Sequence, residues 1–476
     1  TATLKRISLI GPTQVRTGVA TTAVVANTRE FAHVHQTLSL RLVAVPTGFR
    51  VSWAPQLVFP GLLAGEHLRV HTHAPFARGA IRARDGEVLA SGPASNRVYP
   101  QGAAFSDVTG YVKTPASDQV AARVAKGWPA RRPFGQAGLE KSLDGVLGGR
   151  PEIDLQAVSG HGSPRTLATR AGAKPQDVVT TLRIHTQHDV ADALGGKYGG
   201  AVVMDPKSGA VEASVGLGME VLQPPGSSFK TVTAAAALNA KVATLDTDYP
   251  YARFIELNGW KLHNFHKESC GGSFLLAFAV SCNSVFAPVA DQVGAARLVA
   301  MADNFGFNHR GTIRYPVPTS ITPRVSQLNS DLSLGTAGIG QGGVGATPLQ
   351  MASVAATIGS KGVFRAPYIV HSPAQVADYQ PGKRVLSASV ATQVRTMMEA
   401  VVTEGTGVSA AVPGVMVAGK TGTAEVGVKR PTDAWFIAFA PADHPTVAVA
   451  VLVAGGGVGG EVAAPIAGQI LRDTLG

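Results

Sequence analysis

Gly414-Val415-Met416-Val417-Ala418-Gly419-Lys420-Thr421-Gly422-Thr423 admits two readings, and the choice between them decides the fold. Its first eight residues satisfy the phosphate-loop pattern G-x-x-x-x-G-K-[ST], which needs a glycine-rich loop running into a helix. The interior here is Val-Met-Val-Ala, a strand-like run, and the continuation Gly422-Thr423-Ala424-Glu425-Val426-Gly427 is a poor helix start. The stretch is therefore read as a strand, Val415 to Val426, and nucleotide binding is set aside. On an edge strand the side chains of Lys420, Thr421 and Thr423 can bind a carboxylate. The bare Cα of Gly422 lets another backbone or a ligand approach closely. Chance supplies Lys-Thr-Gly-Thr on the order of once in fifty chains of this composition.

Around this strand the pattern is β-rich again. Ala434 to Ala440 and Thr446 to Val453 read as strands, and Ala463 to Leu475 as an amphipathic helix. Far upstream, Gly199 to Met204 and Ala210 to Val215 are two more β runs joined by Asp205-Pro206-Lys207-Ser208-Gly209, a hairpin with a five-residue turn. Before them, Thr180 to Ile184 reads as a strand and Gln187 to Leu194 as a short helix. The long middle is mostly helical. A sheet assembled from both ends of this segment, with a large helical insert between, is the simplest architecture.

Two further motifs lie in that insert. Pro224-Pro225-Gly226 breaks the chain ahead of Ser227-Ser228-Phe229-Lys230, and the stretch Thr231 to Ala240 winds a helix. Three residues apart on a helix, Ser227 and Lys230 share a face, so the amine can reach the hydroxyl. Burial or neighbouring cations can depress a lysine pKa until it serves as a base. Taken alone the pattern is weak, since about one Ser-x-x-Lys is expected by chance and an N-cap serine explains it. Ser281-Cys282-Asn283 follows the apolar run Phe274 to Val280; a second hydroxyl can relay a proton, and an Asn amide can both donate to and accept from a peptide.

Each motif occurs once, in the order Ser-x-x-Lys, Ser-x-Asn, Lys-Thr-Gly. On this set the chain resembles the penicillin-recognising serine enzymes, and specifically a class B penicillin-binding protein. Gly340-Gln341-Gly342-Gly343 and Ala346-Thr347-Pro348-Leu349-Gln350-Met351-Ala352 resemble the family's segment between the second and third motifs. Arg78-Gly79-Ala80-Ile81, Asp85-Gly86-Glu87-Val88-Leu89-Ala90 and Gly138-Leu139-Glu140-Lys141 resemble its non-catalytic pedestal. Ser52-Trp53-Ala54-Pro55 to Phe59-Pro60-Gly61-Leu62 is similar to the end of a nuclear-transport-factor-like module.

The resemblance implies a multidomain α+β protein: an α+β module over 1–62, whose short alternating strands by themselves also fit a mainly β module, a pedestal over 63–174, and a transpeptidase domain over 175–476, built on an antiparallel sheet flanked by helices. It implies a D,D-transpeptidase acting on peptidoglycan stem peptides and acylated by β-lactams at Ser227. Lys230 would be the base, Ser281 and Asn283 would serve proton relay and substrate amide contacts, and Lys420, Thr421 and Thr423 would hold the substrate carboxylate. The backbone N–H groups of Ser227 and Thr423 would form the oxyanion hole. No cofactor is implied, and any glycan polymerisation would come from a glycosyltransferase partner. A β-lactamase-like hydrolase or a penicillin-binding sensor shares the motifs, but no segment is assignable as the base a β-lactamase needs for deacylating water.

Composition fits this picture. The 476 residues are 45% apolar and 15% charged, enough for more than one core. A net charge of +11 suits an anionic setting such as a cell wall; without a dense basic run or interleaved aromatics, nucleic-acid binding is not expected. No run of about 20 apolar residues is present, so the resemblance implies that an N-terminal anchor outside this sequence places the protein on the extracytoplasmic face of a bacterial membrane. The two cysteines, Cys270 and Cys282, suit one local disulfide or two buried thiols, and with His263 and His266 they have zinc-ligand chemistry but no common zinc spacing. An extracytoplasmic location favours the disulfide over a metal site.

Overall fold

The computed structural model describes residues 4–476 except 10–13, 17–18, 29–30, 55–56, 58, 60, 125–127, 161, 375–376 and 428–429. Thr1, Pro55 and Pro60 of the expected first module lie outside the described residues.

Five strands make the principal sheet: β1 (Gly199–Met204), β2 (Val211–Gly216), β3 (Ala418–Ala424), β4 (Asp433–Ala440) and β5 (Val447–Val453). Their order is β2-β1-β5-β4-β3 and every pairing is antiparallel. The ends of the segment thus meet in one sheet, with β3 on its edge. β4 and β5 are buried along their whole length, which is why their sequences run apolar without alternation. Side chains still alternate between faces. Phe436 and Ala438 join one core with the helices α1 (Ile184–Leu194) and α6 (Ala463–Leu475), while Trp435, Ile437 and Phe439 join the other with α2 (Lys230–Asn239) and α5 (Pro348–Gly359).

Local signals place several of these elements. Thr347 caps α5 by accepting from Gln350 N at 3.1 Å, and Pro348 occupies the first turn, where no N–H is needed. The strand read at Thr180 to Ile184 instead spans Val178–Thr180, and Ile184 already opens α1. The apolar run there crosses a strand-to-helix junction at the extended Arg183. The helical middle also contains a hairpin, Phe254–Leu257 paired with Trp260–His263, turning at Asn258-Gly259. Helices α3 (Phe274–Ala279) and α4 (Asn283–Val293) follow it and bracket the Ser-x-Asn motif.

Upstream, the first residues form antiparallel strands in which Val19–Thr28 pairs along its whole length with a partner running Ala32–Val45. No α-helix occurs among the described residues up to Leu62, so that module is β there rather than α+β. The pedestal is more regular than its Gly, Pro and Arg content suggests. Ile153–Val158 lies between His67–Thr72 and Arg165–Arg170 in a three-stranded antiparallel sheet. The hairpin through Asp85-Gly86 pairs Ile81–Arg82 with Val88–Ala90. Val178–Thr180 pairs parallel to Ile81–Arg82 and antiparallel to Val370–Ser372, so one sheet draws on both sides of residue 174.

Arg78 anchors the pedestal. Its Nε donates to Glu140 Oε2 at 2.7 Å and its Nη1 to Asp144 Oδ1 at 2.8 Å, while Arg97 Nε holds Glu140 Oε1 at 2.7 Å. Arg78 and Glu140 side chains are at most 1% exposed, so removing either breaks a buried ion-pair network at a cost of about 3–5 kcal/mol. Among the described residues no single helix is long and apolar enough to cross a membrane; the bent pair α4 and Ala295–Asn304 passes by length and composition, but both helices pack into the core.

Candidate active site

The serine turn and the edge strand are packed backbone against backbone. Gly226 adopts φ +51, and a Cβ there would stand 2.8 Å from Thr423 O; a Cβ on Gly422 would stand 2.6 Å from Pro225 O. Two glycines are therefore needed for the first and third motifs to meet. Ser227 lies in the 3₁₀ turn Gly226–Phe229 that runs into α2. In such a turn residues three apart eclipse, so Ser227 and Lys230 leave on the same side. Ser227 is part-buried and lines a cavity of about 1060 Å³.

Two lysines converge behind it on Ser281. Lys230 Nζ donates to Ser281 O at 2.7 Å, to Asn283 Oδ1 at 2.7 Å and to Ser281 Oγ at 3.3 Å. Lys420 Nζ donates to the same Oγ at 2.9 Å and to Thr421 O at 3.1 Å. No hydrogen bond joins Lys230 to the Ser227 hydroxyl in this state. Both lysines are fully buried, and among the described residues no carboxylate lies within ion-pair reach of either. Burial, and then the neighbouring Lys420 charge, holds Lys230 well below the usual lysine range; burial brings Lys420 down to about 7.

Ser281 reaches both amines because its backbone is left-handed, φ +61, between α3 and α4. The next residue, Cys282, is bonded to Cys270 with an S–S distance of 2.10 Å. That bond ties the Ser-x-Asn motif to the strand Cys270–Ser273 and removes both sulfurs from any zinc set with His263 and His266. Asn283 spans two elements, its Oδ1 on Lys230 and its Nδ2 on His263 O at 2.9 Å. Thr423 Oγ1 accepts from Gly459 N at 3.2 Å. The segment read as a strand rather than a phosphate loop is β3, with Lys420, Thr421, Gly422 and Thr423 all within it.

Other residues complete the site outside the three motifs. Thr406 Oγ1 lies 2.6 Å from Thr421 Oγ1, carried by a Gly-Thr-Gly loop that no pattern singles out. Gln341, within the glycine-rich segment quoted above, turns its amide to the Glu425 backbone, accepting from N at 2.9 Å and donating to O at 3.2 Å. The hairpin through Asn258-Gly259 contributes Lys261, Leu262 and His263 to the cavity wall.

Residues 199–472 match the penicillin binding protein transpeptidase domain, and residues 92–180 match the penicillin-binding protein dimerisation domain. The chain is 32% identical to peptidoglycan D,D-transpeptidase PbpA of Mycolicibacterium smegmatis over 460 residues, covering 82% of this chain and 87% of that protein. It is similar in structure to the D,D-transpeptidase domain of a peptidoglycan glycosyltransferase from Eggerthella lenta, with TM-score 0.68, 30% identity and coverage of 84% of this chain and 99% of that one. Penicillin-binding protein A of Mycobacterium tuberculosis, solved as its penicillin G acyl-enzyme complex, gives TM-score 0.67 at 28% identity, covering 84% and 100%. With its transpeptidase and dimerisation domains together on one chain, this protein belongs to the class B penicillin-binding proteins.

Proposed function

We propose that this protein is a peptidoglycan cross-linking D,D-transpeptidase working through an acyl-enzyme on Ser227, and that β-lactams inhibit it by acylating the same hydroxyl. The observation that carries the reading is the shared hydroxyl of Ser281, bonded by both Lys230 and Lys420, in the wall of the same cavity that Ser227 lines. Burial favours the neutral amine on Lys230, which can take the Ser227 proton as Oγ attacks the penultimate D-Ala carbonyl. The N–H groups of Ser227 and Thr423 receive the oxyanion. The proton passes through Ser281 to the leaving amine as the terminal D-Ala departs. An acceptor amine then attacks the ester carbonyl, loses its proton along the same relay, and Ser227 regains its hydrogen. Asn283 meets the substrate backbone, and Lys420 with Thr421 and Thr423 holds the terminal carboxylate.

Lys420 sets a pH dependence. It is cationic below about 7 and neutral above, and only the cation attracts a carboxylate. Lys230 carries the repulsion of that cation on top of its burial, and both favour its neutral amine. The second-order rate of acylation is expected to fall as pH rises past about 7, where Lys420 gives up the charge that attracts the carboxylate. A rate that climbs steadily to pH 9 would remove Lys420 as the cationic anchor.

The wider organisation is proposed with the same reading: a module over 1–62, a pedestal over 63–174 and the transpeptidase domain over 175–476, held on the extracytoplasmic face by an N-terminal anchor and supplied with glycan by a separate glycosyltransferase. The test is turnover of a stem-peptide donor, or its thioester analogue, with an amine acceptor. Cross-linked product supports the enzyme. Acylation by penicillin with no turnover of any donor would favour a sensor, and rapid hydrolysis of the penicilloyl ester a β-lactamase-like hydrolase.

A further inference from the structure

We propose that His71, His73, Glu152 and Asp154 form a divalent-cation site of the zinc class on the outer face of the pedestal sheet, independent of the active site. The ladder register assembles it. Asp154 stands opposite His71, and His73 N donates to Glu152 O at 2.9 Å, so two histidines two residues apart face two carboxylates two residues apart. Ile153 and Leu155 point inward and are fully buried, which leaves the four polar side chains on the other face.

The donor atoms already converge. His73 Nε2 lies 2.9 Å from Asp154 Oδ2 and 3.6 Å from Glu152 Oε1. Zinc bonds of roughly 2.0–2.1 Å set tetrahedral donors about 3.3 Å apart, and these two separations bracket that spacing. Among the described residues His73, Glu152 and Asp154 are the one such group whose donor atoms all lie within 4.8 Å of one another. The His71 ring packs edge-on against His73, centroids 5.1 Å apart, on the same face beside the trio. Thr169 Oγ1 donates to Asp154 Oδ1 at 2.6 Å, fixing the carboxylate so that its other oxygen faces His73, the kind of outer-sphere support that metal ligands carry.

Charge points the same way. Glu152 and Asp154 bring two carboxylates to one face of the sheet, a charge that a dication neutralises. His73 and Glu152 are 42% and 43% exposed, open to a hydrated ion. The sequence hides the site because His73 and Asp154 are 81 residues apart, and only sheet pairing joins them. The strand His67–Thr72 follows directly from the first module, so a bound ion would clip the edge strand at that junction to the centre of the pedestal sheet.

The test uses the full chain stripped with a chelator and titrated with ZnCl₂ by calorimetry, with thermal unfolding and Co²⁺ absorption in parallel. One equivalent should bind saturably, raise the unfolding midpoint, and give Co²⁺ visible bands of a low-symmetry nitrogen–oxygen site. Asp154→Asn and the more exposed Glu152→Gln should each weaken binding by at least about tenfold, while the metal-free midpoint of Glu152→Gln stays at the parent value. His444→Ala, on a distant loop, should bind as the parent does. Absence of saturable binding, or binding equal in parent, Asp154→Asn and Glu152→Gln, would overturn the site.

Discussion

A Lys230→Met chain should be acylated by penicillin on the order of 10³-fold more slowly than the parent, and should resist urea better. The two effects come from one fact, the complete burial of an amine with no carboxylate partner. In the unfolded chain the lysine binds its proton up to the usual lysine range; in the folded protein it gives it up well below that. Between those two pH values the unfolded state holds more protons, so this group weakens the fold at neutral pH and does so less as pH rises. Methionine fills the same channel beside Phe286 without that cost. Ser281 and Asn283 border the cavity, where water can take up the acceptors that Lys230 leaves. Stopped-flow acylation and urea denaturation together read the outcome. Loss of activity with loss of stability would point to a structural lysine, and undiminished acylation would remove it as the base.

Ser281→Ala and Ser281→Gly should each slow acylation by about 10²-fold, yet differ in stability, with the glycine variant the more stable of the two. The hydroxyl accepts from both lysines, so its own hydrogen is left to point elsewhere, which suits a relay. Its loss leaves Lys230 still held by Ser281 O and Asn283 Oδ1, so the base stays in place and the relay alone is removed. At φ +61 alanine is as strained as serine, while glycine is not, a difference of about 1 kcal/mol in favour of Ser281→Gly. Equal rates in parent and glycine variant would show that the hydroxyl does not carry the proton.

What could be read ahead of the structure followed the strength of the local code. β4 and β5 are continuous apolar runs between turns, and α6 carries one apolar stripe from Ala463 to Leu475; each is visible because burial imposes it on consecutive residues. The choice of strand over phosphate loop at Lys420 rested on the β-branched residues before it. The pedestal sheet is hard to read because only Leu68 and Val70 alternate with His67, Arg69 and His71, too short a pattern to stand out among the surrounding Gly, Pro and Arg. The hairpin Phe254–Leu257 with Trp260–His263 interrupts the mostly helical middle, and its inward residues Ile255, Leu257 and Leu262 are too few to set a strand period beside the exposed Phe254 and Trp260.

The site divides in the same way. Ser227, Lys230, Ser281, Asn283 and the Lys420 strand announce themselves as residue types at fixed spacing. Thr406 does not, since a threonine between two glycines acquires meaning only when folding sets it 2.6 Å from Thr421. The cysteine pair left a disulfide, free thiols and a zinc set all open on chemistry, and it was the approach of Cys270 to Cys282 that selected the bond.

The most direct measurement of the central claim is mass spectrometry of the protein after exposure to penicillin G, intact and then as peptides. The account predicts a single penicilloyl adduct on the peptide that contains Ser227, and none on a Ser227→Ala chain of unchanged unfolding midpoint. An adduct that persists in Ser227→Ala, or that maps to Ser228, Ser281 or any other residue of the parent, would contradict it.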